Sequence, residues 1–222
     1  MAQNAAFWDR HAEGYAKRPI ADEAAYQRKL ATTRRYFKAS TQVLEFACGT
    51  GGTALLHAPH VAHVRALDIS PAMIRIAEGK AAEQGIDNVT FEVADFAALQ
   101  VPEASYDAVL GMSILHLLDN FREVIASVHE VLRPGGIFVS STLCMGDSAF
   151  RFIRYAVPLG KLFRLMPDVE VIREASLLEA LTTTGFTVHH HWRPAHNKAS
   201  FIVAVKSGEG AEVVLPVRED AP

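Results

Sequence analysis

Three dense apolar runs, Val43–Cys48, Val64–Ile69 and Tyr106–Met112, are each closed by turn residues and followed by a segment with helical spacing. Two shorter β-branched runs, Val89–Ala94 and Gly136–Thr142, continue the alternation. This pattern constrains the fold more than any other feature of the chain. Parallel strands need a crossover, the crossover is a helix, and its right-handed sense places helices on both faces of one sheet. An α/β fold, doubly wound and mostly parallel, is therefore expected. A chain of 222 residues can bury one such core and is short for two.

The helices have readable punctuation. Ser70-Pro71 opens one, with serine as N-cap and proline in the first turn, and Met73, Ile74 and Ala77 then recur at helical spacing. Asp119 is expected to cap the next, which runs through Phe121, Val124, Ile125, Val128 and Leu132 until Pro134-Gly135-Gly136 stops it. Phe186–Arg193 and Ala199–Lys206 read as a final strand pair. Residues 5–37 read as two amphipathic helices interrupted near Pro19. One domain is expected over residues 1–206, with a fraying tail at 207–222 rich in Gly, Glu, Pro and Asp.

Composition narrows the class. Half the residues are hydrophobic, 21% are charged and the formal charge is −3, without the basic surplus of a protein that grips phosphates, so no nucleic-acid partner is expected. Two cysteines, Cys48 and Cys144, do not make a disulfide framework. The first residues lack a basic then apolar secretory pattern, and the longest nearly apolar run, Ala108–Leu118, is too short for a bilayer and contains His116. A soluble, cytoplasmic protein is expected, its oligomeric state left open.

The strongest local signal is Glu45-Phe-Ala-Cys-Gly49-Thr-Gly51-Gly52, directly after a strand and entering a helix. A glycine turn there lets backbone approach a ligand, and helix-start amides can bond an anionic group. Asp68 ends the second strand, placed to accept from ribose hydroxyls, and Asp95 ends the third, beside the aromatic face of Phe96. Singly, such aspartates are ordinary helix N-caps. Together, the acids fall at the carboxyl ends of consecutive strands, where open α/β sheets bind ligands. A dinucleotide is disfavoured, because Thr53-Ala54-Leu55 lacks the final glycine of that fingerprint and Glu45 would face a pyrophosphate badly.

VLEFACGTG, ALDISPAMI, FEVADFAAL, YDAVLGMSILHLL and VLRPGGIFVSS, in this order, resemble the successive motifs of class I, Rossmann-like S-adenosylmethionine-dependent methyltransferases. The N-terminal FWDRHAEGYAKRPI is similar to the first helix of the ubiquinone/menaquinone-biosynthesis branch and its small-molecule relatives. The resemblance implies a seven-stranded sheet with an antiparallel closing strand, a helical lid at residues 1–40 and an acceptor-side cap at 143–172. It implies S-adenosyl-L-methionine as cofactor, with Glu45 on the methionine end and Ala47, Gly49 and Gly51 forming the turn. Ala47 departs from the glycine often found there. The ribose falls to Asp68, the adenine to Ile69, Met73, Asp95 and Phe96, and the transferring methyl to Gly111, Met112 and Ser113. Tyr15, His11 and Tyr26 fall in the region that is a lid in relatives, where each either closes over the site or packs.

On the acceptor side His116 is the candidate general base, since it follows the fourth strand on the ligand side; the alternative is a histidine bonded to backbone at a helix start. His189-His190-His191 invites a metal, but neighbours on a strand alternate faces, and no metal is expected. The stretch Phe150–Met166 carries Arg151, Arg154, Lys161 and Arg164 without an acid. It reads either as an amphipathic lid on anionic membrane or, preferred here, as a cap over an enclosed pocket. Gly-Met-Ser-Ile after the fourth strand lacks the Asn/Asp-Pro-Pro-aromatic loop of enzymes that methylate exocyclic or amide nitrogens, and two thiols are too few for a metalloid. A small, apolar or aromatic acceptor is expected. A membrane lipid or quinone precursor, or a non-catalytic cofactor-binding subunit, are the alternatives.

Overall fold

The computed structural model describes residues 2–147, 170–193 and 199–208. Helices α1 (Ala2–Ala16) and α2 (Glu23–Arg34) precede the strands β1 (Gln42–Phe46), β2 (His63–Asp68), β3 (Val89–Val93), β4 (Tyr106–Met112), β5 (Leu132–Thr142), β6 (Phe186–Trp192) and β7 (Ser200–Lys206). Helices α3 (Gly52–His57), α4 (Pro71–Gln84), α5 (Phe121–Val131) and α6 (Glu174–Thr184) run between them. The strands form a seven-stranded sheet in the order β3-β2-β1-β4-β5-β7-β6. Neighbours from β3 to β5 are parallel, and β7 is antiparallel to both β5 and β6. The chain winds outward through β1, β2 and β3, then restarts with β4 on the other side of β1. Two crossovers therefore diverge at the carboxyl ends of β1 and β4, which opens a crevice there.

Strand alternation decides what each face buries. Leu44 and Phe46 point to the face covered by Val124, Ile125 and Val128 of α5, whereas Val43 points to the other, against Ala54 of α3 and Ile74 of α4. Ser70 caps α4 as expected, its hydroxyl accepting from Met73 N at 3.1 Å.

Two boundaries differ from the sequence reading. Asn120, not Asp119, occupies the N-cap of α5, without a side-chain cap bond. The Pro134-Gly135-Gly136 stretch does not separate helix from strand; it lies inside β5 as an irregularity, with Tyr106 opposite Leu132 and Ala108 opposite Ile137. The helix ends earlier, at Val131, where Lys206 Nζ donates to the carbonyls of His129 (2.6 Å) and Leu132 (2.8 Å). A cation from the last strand thus covers the negative end of α5, a partner that no local pattern announces.

The three consecutive histidines have separate surroundings, with an irregular register between Val188 and His190. His189 lies beside Tyr36 and His190 edge-on to Phe201, while His191 Nε2 bonds Glu174 Oε1 at 2.8 Å. Cys48 and Cys144 are free and buried. No helix among the described residues is long and apolar enough to cross a membrane. The Phe150–Met166 cap and its four cations lie outside the described residues, as does most of the 207–222 tail.

Candidate functional site

The crevice at the carboxyl ends of the strands is a cavity of about 420 Å³. Its floor is the turn between β1 and α3. Ala47, Gly49 and Gly51 hold φ values of 52°, 55° and 75°, the left-handed region. At Gly51 packing adds to the backbone requirement: a Cβ would sit 2.8 Å from both Ala77 Cβ of α4 and the Phe91 ring of β3. Ala47 occupies the same region with a side chain, at a cost of about 1–2 kcal/mol. We expect Gly51→Ala to destabilise the fold by roughly 2–5 kcal/mol, left-handed strain adding to overpacking. Urea denaturation checks this, and a loss below about 0.5 kcal/mol, the range of neutral surface changes, contradicts it.

Asp68 ties the turn to β2. Its Oδ2 accepts from Gly49 N and its Oδ1 from Ser70 N, both at 2.9 Å. Burial raises its carboxyl above the ordinary range, with those backbone bonds opposing. Each oxygen keeps acceptor capacity for a ligand. Asp95 lies two residues beyond β3 and caps the short turn Phe96–Ala98, its Oδ1 accepting from Ala97 N at 3.0 Å. It is both the N-cap that a lone aspartate implies and part of the cavity wall. Phe96 is mostly core: it is 8% exposed and stacks on Phe46 with ring centroids 4.8 Å apart. Gly111 permits that stack, since a Cβ there would meet Phe46 Cζ at 2.6 Å.

Glu45 is 2% exposed and stands on β1 opposite Ala66 and Leu110. Burial, then the nearby Asp68 charge, pushes its carboxyl up to about 8. Its Oε2 has no hydrogen-bond partner among the described residues. A buried carboxyl oxygen without a partner is costly; the group keeps its proton near neutral pH, and a cationic donor is the partner that would stabilise its charged form.

Ala47, Gly49, Asp68, Ile69, Met73, Asp95, Phe96, Met112, Ser113 and Tyr15 line the cavity; Glu45, Gly51 and His116 do not. Gly51 acts behind the wall through its packing. His116 sits in the short turn Leu115–Leu117, with Ile114 and Leu117 on the wall. Its Nδ1 is buried without a partner among the described residues, and burial pushes the imidazole down to about 4. Of the lid residues, Tyr15 faces the cavity, His11 bonds the Phe7 carbonyl in its own helix, and the Tyr26 hydroxyl pairs with Thr53 at the start of α3.

Sequence reasoning missed Trp8 and Asp9. Trp8 lies seven residues before Tyr15, on the same helix face, and lines the cavity with it. That spacing was available as a signal. Asp9 had none: its Oδ1 accepts from Ser70 Oγ (2.6 Å) and Ala72 N (3.0 Å), 61 and 63 residues away. The Ser70 bond, more than any other contact, lowers the Asp9 carboxyl below its ordinary range. It fastens α1 to the N-terminus of α4, where a carboxylate is favoured.

The model of a methyltransferase domain family matches residues 43–136, the span from β1 through the glycines of β5. Over that span the chain is similar to methyltransferase domains. It is 34% identical over 136 residues to the phthiotriol/phenolphthiotriol dimycocerosates methyltransferase of Mycobacterium tuberculosis, covering 60% of this chain and 49% of that one. To the 27-O-demethylrifamycin SV methyltransferase of Amycolatopsis mediterranei it is 32% identical over 139 residues, 62% of this chain and 46% of the relative. It spans about half the length of these curated relatives. The crystal structure of the YcgJ protein of Bacillus subtilis superposes with a TM-score of 0.65 at 16% identity, over 82% of this chain and 99% of that one, a likeness of fold. The matched span supplies most of the crevice wall, with Trp8 and Tyr15 of α1 outside it.

Proposed function

We propose that this protein transfers a methyl group from S-adenosyl-L-methionine to a small, largely apolar or aromatic organic acceptor. The observation that carries the reading is Glu45, a buried carboxyl whose Oε2 has no partner among the described residues, beside a left-handed turn. A cationic ammonium, such as the methionine end of the cofactor carries, matches that carboxylate in charge, whereas a pyrophosphate is repelled by it. The bound cofactor supplies an activated sulfonium methyl. Glu45 holds its amino end, Asp68 accepts from the ribose hydroxyls, and Ile69, Met73, Asp95 and Phe96 enclose the adenine. Met112 and Ser113 flank the position of the methyl.

The protein's own contribution is chiefly alignment, worth roughly 7–11 kcal/mol when two reactants are held in line. Ile114, Leu117, Leu118 and Val124 give the cavity an apolar end, which excludes water and suits an apolar acceptor. His116 is the base in this reading. With its imidazole near 4 it is neutral at physiological pH and able to accept a proton, although a weak base. A lipophilic acceptor reached at a membrane is the second reading, favoured by the relative named for a dimycocerosate lipid.

Calorimetry with S-adenosylhomocysteine and NAD tests the donor site, and heat from NAD alone overturns the reading. Incubating metabolite extracts with methyl-labelled cofactor tests the acceptor: a labelled small molecule is expected, and label only in RNA or protein refutes the assignment. Asp68→Ala is expected to weaken S-adenosylhomocysteine binding at least about tenfold, from the loss of charge-assisted bonds worth roughly 1.5–3 kcal/mol each. It also frees the Gly49 and Ser70 amides, so a drop in melting temperature accompanies the loss. An unchanged dissociation constant removes Asp68 from the site.

A further inference from the structure

Helix α1 lies at the cavity with little apolar contact to keep it there. Its main packing partner is α4, yet among the described residues of α1 only Ala12 is buried. A helix of 15 residues is marginal by itself in water, and one buried methyl group adds little. Even so, α1 brings two aromatic rings to the cavity wall, Trp8 and Tyr15, with their planes 85° apart. The Tyr15 ring rests on the glycine turn: a Cβ at Gly49 would be 3.5 Å from its Cε1. A contact more specific than apolar burial has to hold these rings in place.

Asp9 supplies that contact. One of its oxygens, Oδ1, accepts from both Ser70 Oγ and Ala72 N. Ser70 is fully buried, and its hydroxyl is committed twice, donating to Asp9 and accepting from Met73 N. The Ser70 N–H donates to Asp68 Oδ1, and Asp68 Oδ2 takes the Gly49 amide. Asp9, Ser70, Asp68 and Gly49 therefore form one hydrogen-bonded chain from α1 to the glycine turn, and Tyr15 closes it by resting on Gly49. Exposed charges usually contribute little. Here, however, Asp9 is the only acceptor of the Ser70 hydroxyl proton among the described residues, so its loss strands a buried donor.

Resting on the methyl-transfer reading above, we propose that Asp9 is a positioning residue of the cofactor site, acting through Ser70 on Asp68 and through α1 on Trp8 and Tyr15, and so sets how long the nucleoside stays bound. Asp9 itself is not part of the cavity wall. While its two bonds hold, α1 lays both rings against the cavity and Ser70 keeps the Asp68 carboxylate aimed. Once they open, α1 retains only the Ala12 contact, and that side of the wall loses its support. Interactions that close after a ligand has entered slow its departure more than its arrival.

The test uses the full chain with Asp9→Ala and Asp9→Asn, substitutions at an exposed position, with folding checked by thermal melts. Titration calorimetry and stopped-flow displacement give the affinity and the dissociation rate of S-adenosylhomocysteine. Asp9→Ala is expected to raise the dissociation constant about tenfold, mostly through faster dissociation. Asp9→Asn keeps an Oδ1 acceptor for both donors and is expected to recover most of that loss. Hydrogen exchange of the ligand-free protein reads the attachment directly: the α1 amides are expected to exchange faster in Asp9→Ala, with β1 and β4 unchanged. A folded Asp9→Ala protein that binds and releases S-adenosylhomocysteine as the unsubstituted chain does overturns the proposal, whatever its exchange. Failure of the unsubstituted chain to bind S-adenosylhomocysteine defeats the methyl-transfer reading instead, and the exchange of α1 still decides whether Asp9 holds that helix.

Discussion

Replacing His116 by alanine is expected to slow methyl transfer by about two to four orders of magnitude while leaving the affinity for S-adenosylhomocysteine unchanged. The imidazole follows β4, and its neighbours Ile114 and Leu117 line the cavity. Burial holds it neutral down to about pH 4, so turnover should show no loss between pH 8 and pH 5 from its protonation. The same shift sets a stability term. A folded value near 4, against an ordinary 6.5, gives a contribution present above pH 6.5 and lost as pH falls through 4. In His116→Ala that acid-side loss disappears. Full turnover by the variant would leave transfer to alignment alone, with His116 a packed core residue of the turn.

The second large effect is expected at Glu45. Its carboxyl, pushed up to about 8, is protonated in the ligand-free protein at neutral pH. A cationic ligand needs the carboxylate, so binding releases a proton. S-adenosylhomocysteine should then bind up to about tenfold more tightly per pH unit between pH 6 and 8, levelling above 8. Stability of the free protein runs the other way. The folded value lies above the ordinary 4.5, so this contribution is complete below pH 4.5 and is lost as pH rises through 8. Glu45→Gln removes both slopes and weakens binding at pH 8 by roughly two to three orders of magnitude, the usual consequence of breaking a buried charge pair. Isothermal titration across pH 6 to 9 measures it. A pH-independent dissociation constant, equal in the Gln variant, would take Glu45 out of the donor site.

Much of the fold is already present in local pattern. The apolar runs and their turns mark the strands because a doubly covered parallel sheet makes each strand hydrophobic on both faces. Ser70-Pro71 marks the start of α4 because capping is settled within one turn of chain. The positions of Asp68 and Asp95 could be read for the same reason, since residues at strand ends go where the strands go. Ala47, Gly49 and Gly51 could also be recognised as a turn, because left-handed backbone is a property of single residues.

What needed the tertiary structure is whatever depends on partners far apart in the chain. Asp9 reaches Ser70 and Ala72, and Lys206 covers the end of α5. Lys29 meets Ser141 across 112 residues. None of these residues sits in a periodic pattern or a cap motif; each looks like a solvated charge until the chain is folded. The same holds for titration. Glu45 and His116 are an ordinary acid and an ordinary histidine in the sequence, and only burial among strands from separate parts of the chain moves their charge. The sequence alone determined the α/β class and the edge of the sheet that opens as the crevice. The tertiary structure decided which charges are buried there, and which lack a partner, because desolvation and long-range pairing do not exist in the unfolded chain.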